Sequence, residues 1–329
     1  MTSTSEYVEI ASNRATSESG HHHCSPACDG VFDDFSFALC LTHDVDRVDK
    51  KIQAPYYTLL EGRPSHLKSL FTNERPYWQF EEIMEIEDSY DVRSSFFFLQ
   101  EKQLFRDIHP RKWLTPHAWS RYVGYYDLND PDIIDIMRTL EAGGWEVGLH
   151  GSFDSYLDKE RLLEEKQLLE TLLGHPVTGV RQHYLNLEIP HSWEIHREIG
   201  LRYDASLGSS VHYGLDVHID DGNQIGPRVF RPFHDEFLVF PLNVMDVALV
   251  DPAPNIEHAW VELKSLLEGA WAADGLVTVL WHPRLFNQDE FPGYRTLYER
   301  MLSTALEMDA WVGPLEDAYC ELTRARCTA

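Results

Sequence analysis

Several ionisable groups stand where strand-like segments end. The run Phe35–Thr42 is short and apolar, as a strand buried on both faces is, and it leads into Thr42-His43-Asp44-Val45-Asp46. Trp145–Leu149 leads into His150, Val177–Val180 into Arg181-Gln182-His183, and Leu276–Trp281 into His282. Asp44 and Asp46 are two apart, so on extended backbone both side chains point the same way. Two carboxylates packed together repel, and one takes up a proton unless a cation lies between them. A divalent metal resolves that conflict: one carboxylate binds it while the other accepts a proton. His150 offers an imidazole nitrogen of the kind zinc, cobalt and nickel take as a ligand. His282, arriving from a distant part of the chain, is suited to act as a general acid. Taken singly, each residue has a plainer role, since Asp caps turns and a lone His is usually structural. Their shared placement after four separate strands is what points to one site.

Bringing four strand ends to one place constrains the elements around them. Ser94–Leu99 reads as a further strand, as do Tyr203–Ser206, Phe237–Val244 and a short segment near Ala310–Val312. Helices are predicted at Pro131–Ala142, with Asp130 as cap and Pro131 in the first turn, and at Lys159–Leu173, stopped by Gly174 and Pro176. Ser192–Ile199, closed by Gly200, Ile256–Ala273, Thr296–Met308 and a C-terminal segment read as helices too. Strands alternating with helices argue for a parallel sheet with helical cover. The expected fold class is α/β, with seven or eight strands closing a (β/α) barrel whose functional groups gather at the carboxyl edge. An open doubly wound sheet is the alternative. The absence of a Gly-rich phosphate loop after the first strand counts against a nucleotide-binding version of it.

Composition narrows the partners. The chain has 54 acidic and 28 basic residues, a net charge of −26, so phosphate-rich nucleic acid and anionic membrane surfaces are not expected partners. Of the 28 basic residues 8 are lysine, and high acid with little lysine suggests a halophilic protein, whose self-repulsion is screened by dense salt. No apolar run reaches the ~20 residues that span a bilayer. Residues 1–34 read as a flexible leader without an apolar signal core, and residues 35–329 as one domain, so a cytoplasmic location is expected. Five cysteines without a signal segment do not form an expected disulfide framework. The run His21-His22-His23-Cys24-Ser25-Pro26-Ala27-Cys28 has metal-ligating residues but no second ligand pair at a zinc-finger spacing.

In the order of these motifs the chain resembles the polysaccharide deacetylase superfamily, carbohydrate esterases with a NodB-like domain. Thr42-His43-Asp44-Val45-Asp46 is similar to that family's first motif in an Asp-x-Asp variant. The resemblance makes Asp44 the catalytic base and Asp46 a metal ligand. His150-Gly151-Ser152-Phe153-Asp154 matches the first His of the His-[Ser/Thr]-x-x-His motif, with Asp154 where the second His stands. Arg181 fits the arginine that orients the base, Asp204 is the best match for the aspartate of the fourth motif, and Leu280-Trp281-His282 fits the Leu-x-His motif that holds the catalytic acid. The resemblance spans Phe35 to Trp311 and implies a distorted seven-stranded NodB-like barrel. It leaves the third metal ligand open between Asp154, one turn beyond His150 if the chain coils there, and His183, which keeps an Asp-His-His set.

The implied reaction is hydrolysis of an acetamide on a sugar or polysaccharide, with a divalent metal, zinc before cobalt or nickel, as cofactor. Asp44 would accept the proton of the attacking water, Arg181 would hold Asp44 ionised, and His282 would protonate the departing amine. Hydrolysis of another carbon–nitrogen amide bond and a non-catalytic glycan-binding barrel are the competing readings. Trp113, Trp119, Tyr122, Tyr125 and Tyr126, with Arg111 and Arg121, could stack on sugar rings or pack against the barrel. Asp246 could hydrogen-bond His282, or cap a turn.

Overall fold

The computed structural model describes residues 25–26, 32, 34–49, 75–102, 109–112, 125–220, 223–225, 228–249 and 255–327. Its centre is a curled sheet of parallel strands. In chain order they are β1 (Phe37–Val45), β2 (Ser95–Leu99), β3 (Glu146–Gly151), β4 (Gly179–Gln182), β5 (Tyr203–Asp204), β6 (Leu238–Val239), β7 (Leu242–Met245), β8 (Leu276–Leu280) and β9 (Ala310–Gly313). Parallel pairing runs β7-β8-β1-β2-β3-β4-β5-β6. β9 shares one edge of β1 with β2, pairing with Phe37–Cys40 while β2 pairs with Thr42–Val45.

The sequence predicts one strand over Phe237–Val244; the structure breaks it into β6 and β7 at Phe240-Pro241. Proline has no N–H to give a ladder, so a kink there is expected. The break lets the first piece pair with β5 and the second with β8, and an isolated parallel bridge from Gly208 to Leu242 supports the turn. Followed through this broken strand, the pairing path returns to β1, which gives a distorted barrel rather than an open sheet.

Alternation along β1 divides two cores. Ala38 and Cys40 join Phe97, Tyr203, Leu238, Phe240 and Leu276 in one buried cluster, the barrel interior. Phe37, Leu39, Leu41 and Val45 belong to the cluster shared with the helices. Glycine leaves room inside: a Cβ at Gly148 would lie 2.7 Å from the Phe97 ring. By the same alternation Thr42 and Asp44 continue the inward row, and His43 faces the helices.

The helices are α1 (Phe80–Ser89), α2 (Pro131–Ala142), α3 (Lys159–Leu173), α4 (His191–Glu198), α5 (Ile256–Ala272), α6 (Tyr294–Glu307) and α7 (Leu315–Cys327). The cap read from the sequence is present, Asp130 accepting from Asp132 N at 2.9 Å, and Asp158 caps α3 in the same way, accepting from Arg161 N at 3.0 Å. Gly174 ends α3 with φ 89°, a left-handed value that favours glycine. Within the predicted leader, Ser25–Pro26 pairs antiparallel with Phe230–Arg231. The His21–Cys24 run, Cys28, Trp113, Trp119, Arg121 and Tyr122 lie outside the described residues. No described helix is long and apolar enough to cross a membrane.

Candidate functional site

The parallel register sets the site. Asp44 lies level with Phe97, Leu99 with His150, and His150 with Arg181, so the carboxyl ends of β1, β3 and β4 come together. β1 continues to Val45, which puts Asp44 inside the strand and Asp46 just past it. β8 ends at Leu280 and delivers His282 beside them.

Asp46 is the hub. Its Oδ1 lies 3.2 Å from His150 Nε2 and 3.7 Å from His183 Nε2; its Oδ2 lies 3.4 Å from His282 Nε2 and 3.6 Å from Arg284 Nη1. Burial opposes its charge, but hydrogen bonds from His150 and His282 outweigh burial and hold its carboxyl well below the usual range. Asp44 Oδ1 takes a hydrogen bond from Arg181 Nη1 at 3.0 Å, and the same nitrogen donates to Thr42 Oγ1 at 2.6 Å. Arg181 Nε donates to the Ala205 carbonyl at 2.8 Å, so the fully buried guanidinium is fixed across the barrel.

The two imidazoles near Asp46 Oδ1 are oriented from behind. His150 Nδ1 lies 2.8 Å from the Arg181 carbonyl, which only accepts, so Nδ1 carries the proton and Nε2 faces Asp46. His183 Nδ1 lies 3.3 Å from Glu101 Oε2, leaving its Nε2 toward Asp46. Burial opposes the Glu101 charge too, yet the His183 contact and the backbone N–H of Lys102 and Phe153 bring it down to about 2. A left-handed turn follows His183 at once: Tyr184 and Leu185 have φ 59° and 56°. Such backbone is uncommon outside glycine and clusters at functional sites. On the other flank, His282 Nδ1 lies 2.9 Å from Asp246 Oδ1, and the His282 N–H donates to Asp246 Oδ2. Burial opposes protonation of His282, but the Asp246 carboxylate prevails and raises it to about 9.

One donor atom each from Asp46, His150 and His183 lie within 4.8 Å of one another. An oxygen and two imidazole nitrogens, each ring hydrogen-bonded behind, is a donor set that suits a divalent metal with an open position. The residues therefore fit the cofactor that the motifs imply.

Two other residues named from the sequence stand elsewhere. Asp154 does not sit one helical turn beyond His150. β3 stays extended through Gly151, the chain then turns at Ser152–Ser155, and the half-exposed Asp154 carboxylate lies 3.9 Å from Lys102 Nζ. Asp204 follows Tyr203, which points into the barrel, so its own side chain points outward. There it meets Trp193 and His196 of α4, with Oδ2 3.2 Å from His196 Nδ1 and 2.7 Å from Ser206 Oγ. The carboxylate against His282 is Asp246, at the end of β7. Glu101 and Arg284 gave no sequence signal, since both follow strands by short irregular steps with no motif. Tyr126 is buried in a structural clamp: its hydroxyl donates to the Val45 carbonyl and accepts from Leu99 N, both at 2.7 Å.

No family model and no curated protein matches the sequence. Solved structures do. A polysaccharide deacetylase from Mycobacterium smegmatis, so described provisionally, superposes with a TM-score of 0.56 at 14% identity, covering 92% of this chain and 94% of that one. A CE4 family pseudoenzyme from Bacillus anthracis gives 0.46 at 10% identity, over 86% of this chain and 65% of that one. A family 4 carbohydrate esterase from Streptomyces lividans, solved with acetate, gives 0.42 at 10% identity, over 85% and 93%. At these identities the likeness is one of fold, and the chain has the barrel fold of the Mycobacterium smegmatis protein along nearly its whole length.

Proposed function

We propose that the chain is a divalent-metal-dependent amide hydrolase that removes N-acetyl groups from an amino sugar or a polysaccharide. The observation that carries this reading is the arrangement around Asp46: a three-ligand cluster with Asp44–Arg181 on one side and His282–Asp246 on the other. Asp46, His150 and His183 would hold the metal, which when bound polarises the acetyl carbonyl and lowers the pKa of water. Asp44 takes the proton of the attacking water, and Arg181, 3.0 Å from it, keeps Asp44 aligned. His282, charged at neutral pH because Asp246 supports it, gives its proton to the departing amine as the carbon–nitrogen bond breaks. The products are acetate and the free amine. Tyr184, 62% exposed with its ring 4.4 Å from that of His183, stands at the mouth where a sugar ring would stack.

Two measurements test the reading. Metal analysis of purified protein should find about one zinc, cobalt or nickel per chain. Acetate release from a panel of N-acetylated sugars should be seen with the metal and be lost in Asp44→Asn. Stoichiometric metal without acetate release from any sugar would favour another amide substrate, and a folded chain that takes up no metal would leave a glycan-binding barrel.

A further inference from the structure

Helix α3 reaches the site without touching it. It carries Arg161 and Glu165 one turn apart, with Arg161 Nε 2.6 Å from Glu165 Oε1. Glu165 is buried against the chain just past β3, where its Oε2 accepts from Ser152 N at 3.0 Å and its Oε1 from the Ser152 hydroxyl. Arg161 Nη2 donates to the Gln100 carbonyl, just past β2, at 3.1 Å. One pair of side chains therefore joins two strand ends. Ser152 is two residues beyond His150, and Gln100 immediately precedes Glu101, whose carboxylate lies behind His183. The same loops also meet directly. Phe153 N donates to Glu101 Oε2 at 3.1 Å, and the Phe153 carbonyl accepts from Asn186 Nδ2 at 3.0 Å, at the end of the turn that starts with His183. Among the described residues, neither Arg161 nor Glu165 lies within ion-pair distance of Asp46, His150 or His183.

We propose that Arg161 and Glu165 are positioning residues for the metal cluster: they fix the His150 loop relative to the His183 loop, and so set the metal affinity. The inference rests on the metal-binding half of the amide-hydrolase reading. A buried ion pair is a poor source of stability, because desolvation of both charges offsets their attraction. What this pair supplies is direction. The Glu165 carboxylate meets both the N–H and the O–H of Ser152 in one orientation. The planar guanidinium holds that carboxylate and the Gln100 carbonyl from one place. Helix α3 is a firm base for both, capped by Asp158 and anchored in the core by Leu162 and Leu169. Such bracing matters because zinc–nitrogen bonds are about 2.0–2.1 Å long with a tolerance of about 0.2 Å. Two imidazoles on separate loops meet that tolerance together only if the loops are held together.

The test reads zinc affinity, by competition with a chromophoric chelator, separately from acetate release. Arg161→Lys keeps a cation beside Glu165 but loses the planar fork that reaches the Gln100 carbonyl. Zinc should bind it roughly tenfold more weakly, the lower end of what groups that orient a metal's ligands contribute. Glu165→Gln, which leaves an acceptor for the Ser152 N–H, should weaken zinc likewise. Lys159→Ala, which removes the exposed Lys159–Glu198 pair of the same helix, should not. Because Arg161 acts through the Glu101 loop, the two effects should not add: in Glu101→Gln, the further change Arg161→Lys should weaken zinc by about twofold or less. Circular dichroism and urea melts of the metal-free variants accompany each titration. A pair that only stabilised the fold would shift the melts and leave the zinc affinity of the folded chain unchanged. Unchanged affinity in either Arg161→Lys or Glu165→Gln, an equal loss in Lys159→Ala, or an Arg161→Lys loss undiminished in Glu101→Gln would overturn the proposal and leave the hydrolase reading standing. The expected losses in a protein that releases no acetate from any sugar would do the reverse. A folded chain that takes up no zinc would overturn both.

Discussion

His282 stands between two carboxylates with different roles. Asp246 binds its Nδ1 from behind, and Asp46 lies 3.4 Å from its Nε2, the nitrogen facing the site. Burial alone would push the imidazole toward neutrality; Asp246 reverses that and raises it to about 9. A general acid must be protonated, so activity that depends on it is present below its pKa and falls as pH rises through it. Asp246→Asn removes the supporting charge and keeps the shape. The alkaline limb of kcat should move down by a unit or more, ~1.4 kcal/mol per unit, while metal affinity is retained. A pH–rate profile for both proteins checks this, and an unmoved alkaline limb would reject His282 as the acid. The third ligand is decided the same way. His183→Ala should lose metal affinity by roughly tenfold or more, whereas Asp154→Ala, beside Lys102, should lose little; titration with zinc reads both. Asp44, Asp46, His150, Arg181, His183 and His282 were legible because each follows an apolar run at a strand's carboxyl end, where a parallel barrel gathers its groups. Asp204 lies inside such a strand, β5, and faces outward. A two-residue strand gives no alternation from which its side could be read, and that is why Asp246 was harder to choose in its place.

At the scale of elements, β1 is tied to its neighbours and to the helices through His43, the residue before Asp44. His43, turned outward, has Nδ1 2.5 Å from the Trp281 carbonyl and Nε2 3.0 Å from Glu87 of α1. Glu87 also accepts from Trp145 Nε1 at 2.6 Å and from the Tyr298 hydroxyl of α6 at 2.7 Å. The peptide carbonyl that His43 holds immediately precedes His282, so this buried network ties the strand of Asp44 to that of the proposed acid. His43→Leu strands the Glu87 charge in the core. A buried charge left without its partner costs ~3–5 kcal/mol, whereas replacing both members by apolar groups is often close to neutral. His43→Leu should therefore lower stability sharply, and His43→Leu/Glu87→Gln, which removes the charge but keeps an acceptor for Trp145 and Tyr298, should recover part of the loss, as urea melts would show; a double variant as unstable as the single one would contradict this account. The partner in this network, α1, was not legible in the sequence. Its buried residues Phe80, Ile83, Ile86 and Glu87 keep helical spacing, but Gln79 makes no side-chain cap and Tyr90, not glycine, ends it. α2 and α3, with Asp and Gly or Pro at their ends, were legible to the residue.

At the scale of the whole molecule, alternating strands and helices specified a parallel, helix-covered sheet. Its closure was not written in any local pattern, because it depends on Pro241 splitting one strand between two partners. Charge is the other property of the whole. With 54 acidic against 28 basic residues, nearly half of the carboxylates have no cation to pair with, and the net is −26. Exposed ion pairs such as Lys159–Glu198 and Arg300–Glu257 contribute about 0–1 kcal/mol each. Salt weakens those pairs, but it also weakens the repulsion that a net charge of −26 spreads over the whole surface, and the second effect should win. The screening length falls from ~10 Å at 0.1 M to ~3 Å at 1 M ionic strength, shorter than typical spacings between surface carboxylates. Thermal melts should therefore shift upward by several degrees between dilute buffer and molar potassium chloride. Sulfate and phosphate would also stabilise by exclusion from the surface, so chloride is the cleaner probe, and sucrose at matched osmolality serves as the uncharged control. Equal midpoints at low and high potassium chloride, or a rise matched by sucrose, would mean that self-repulsion does not limit this fold and would refute its reading as a salt-adapted protein.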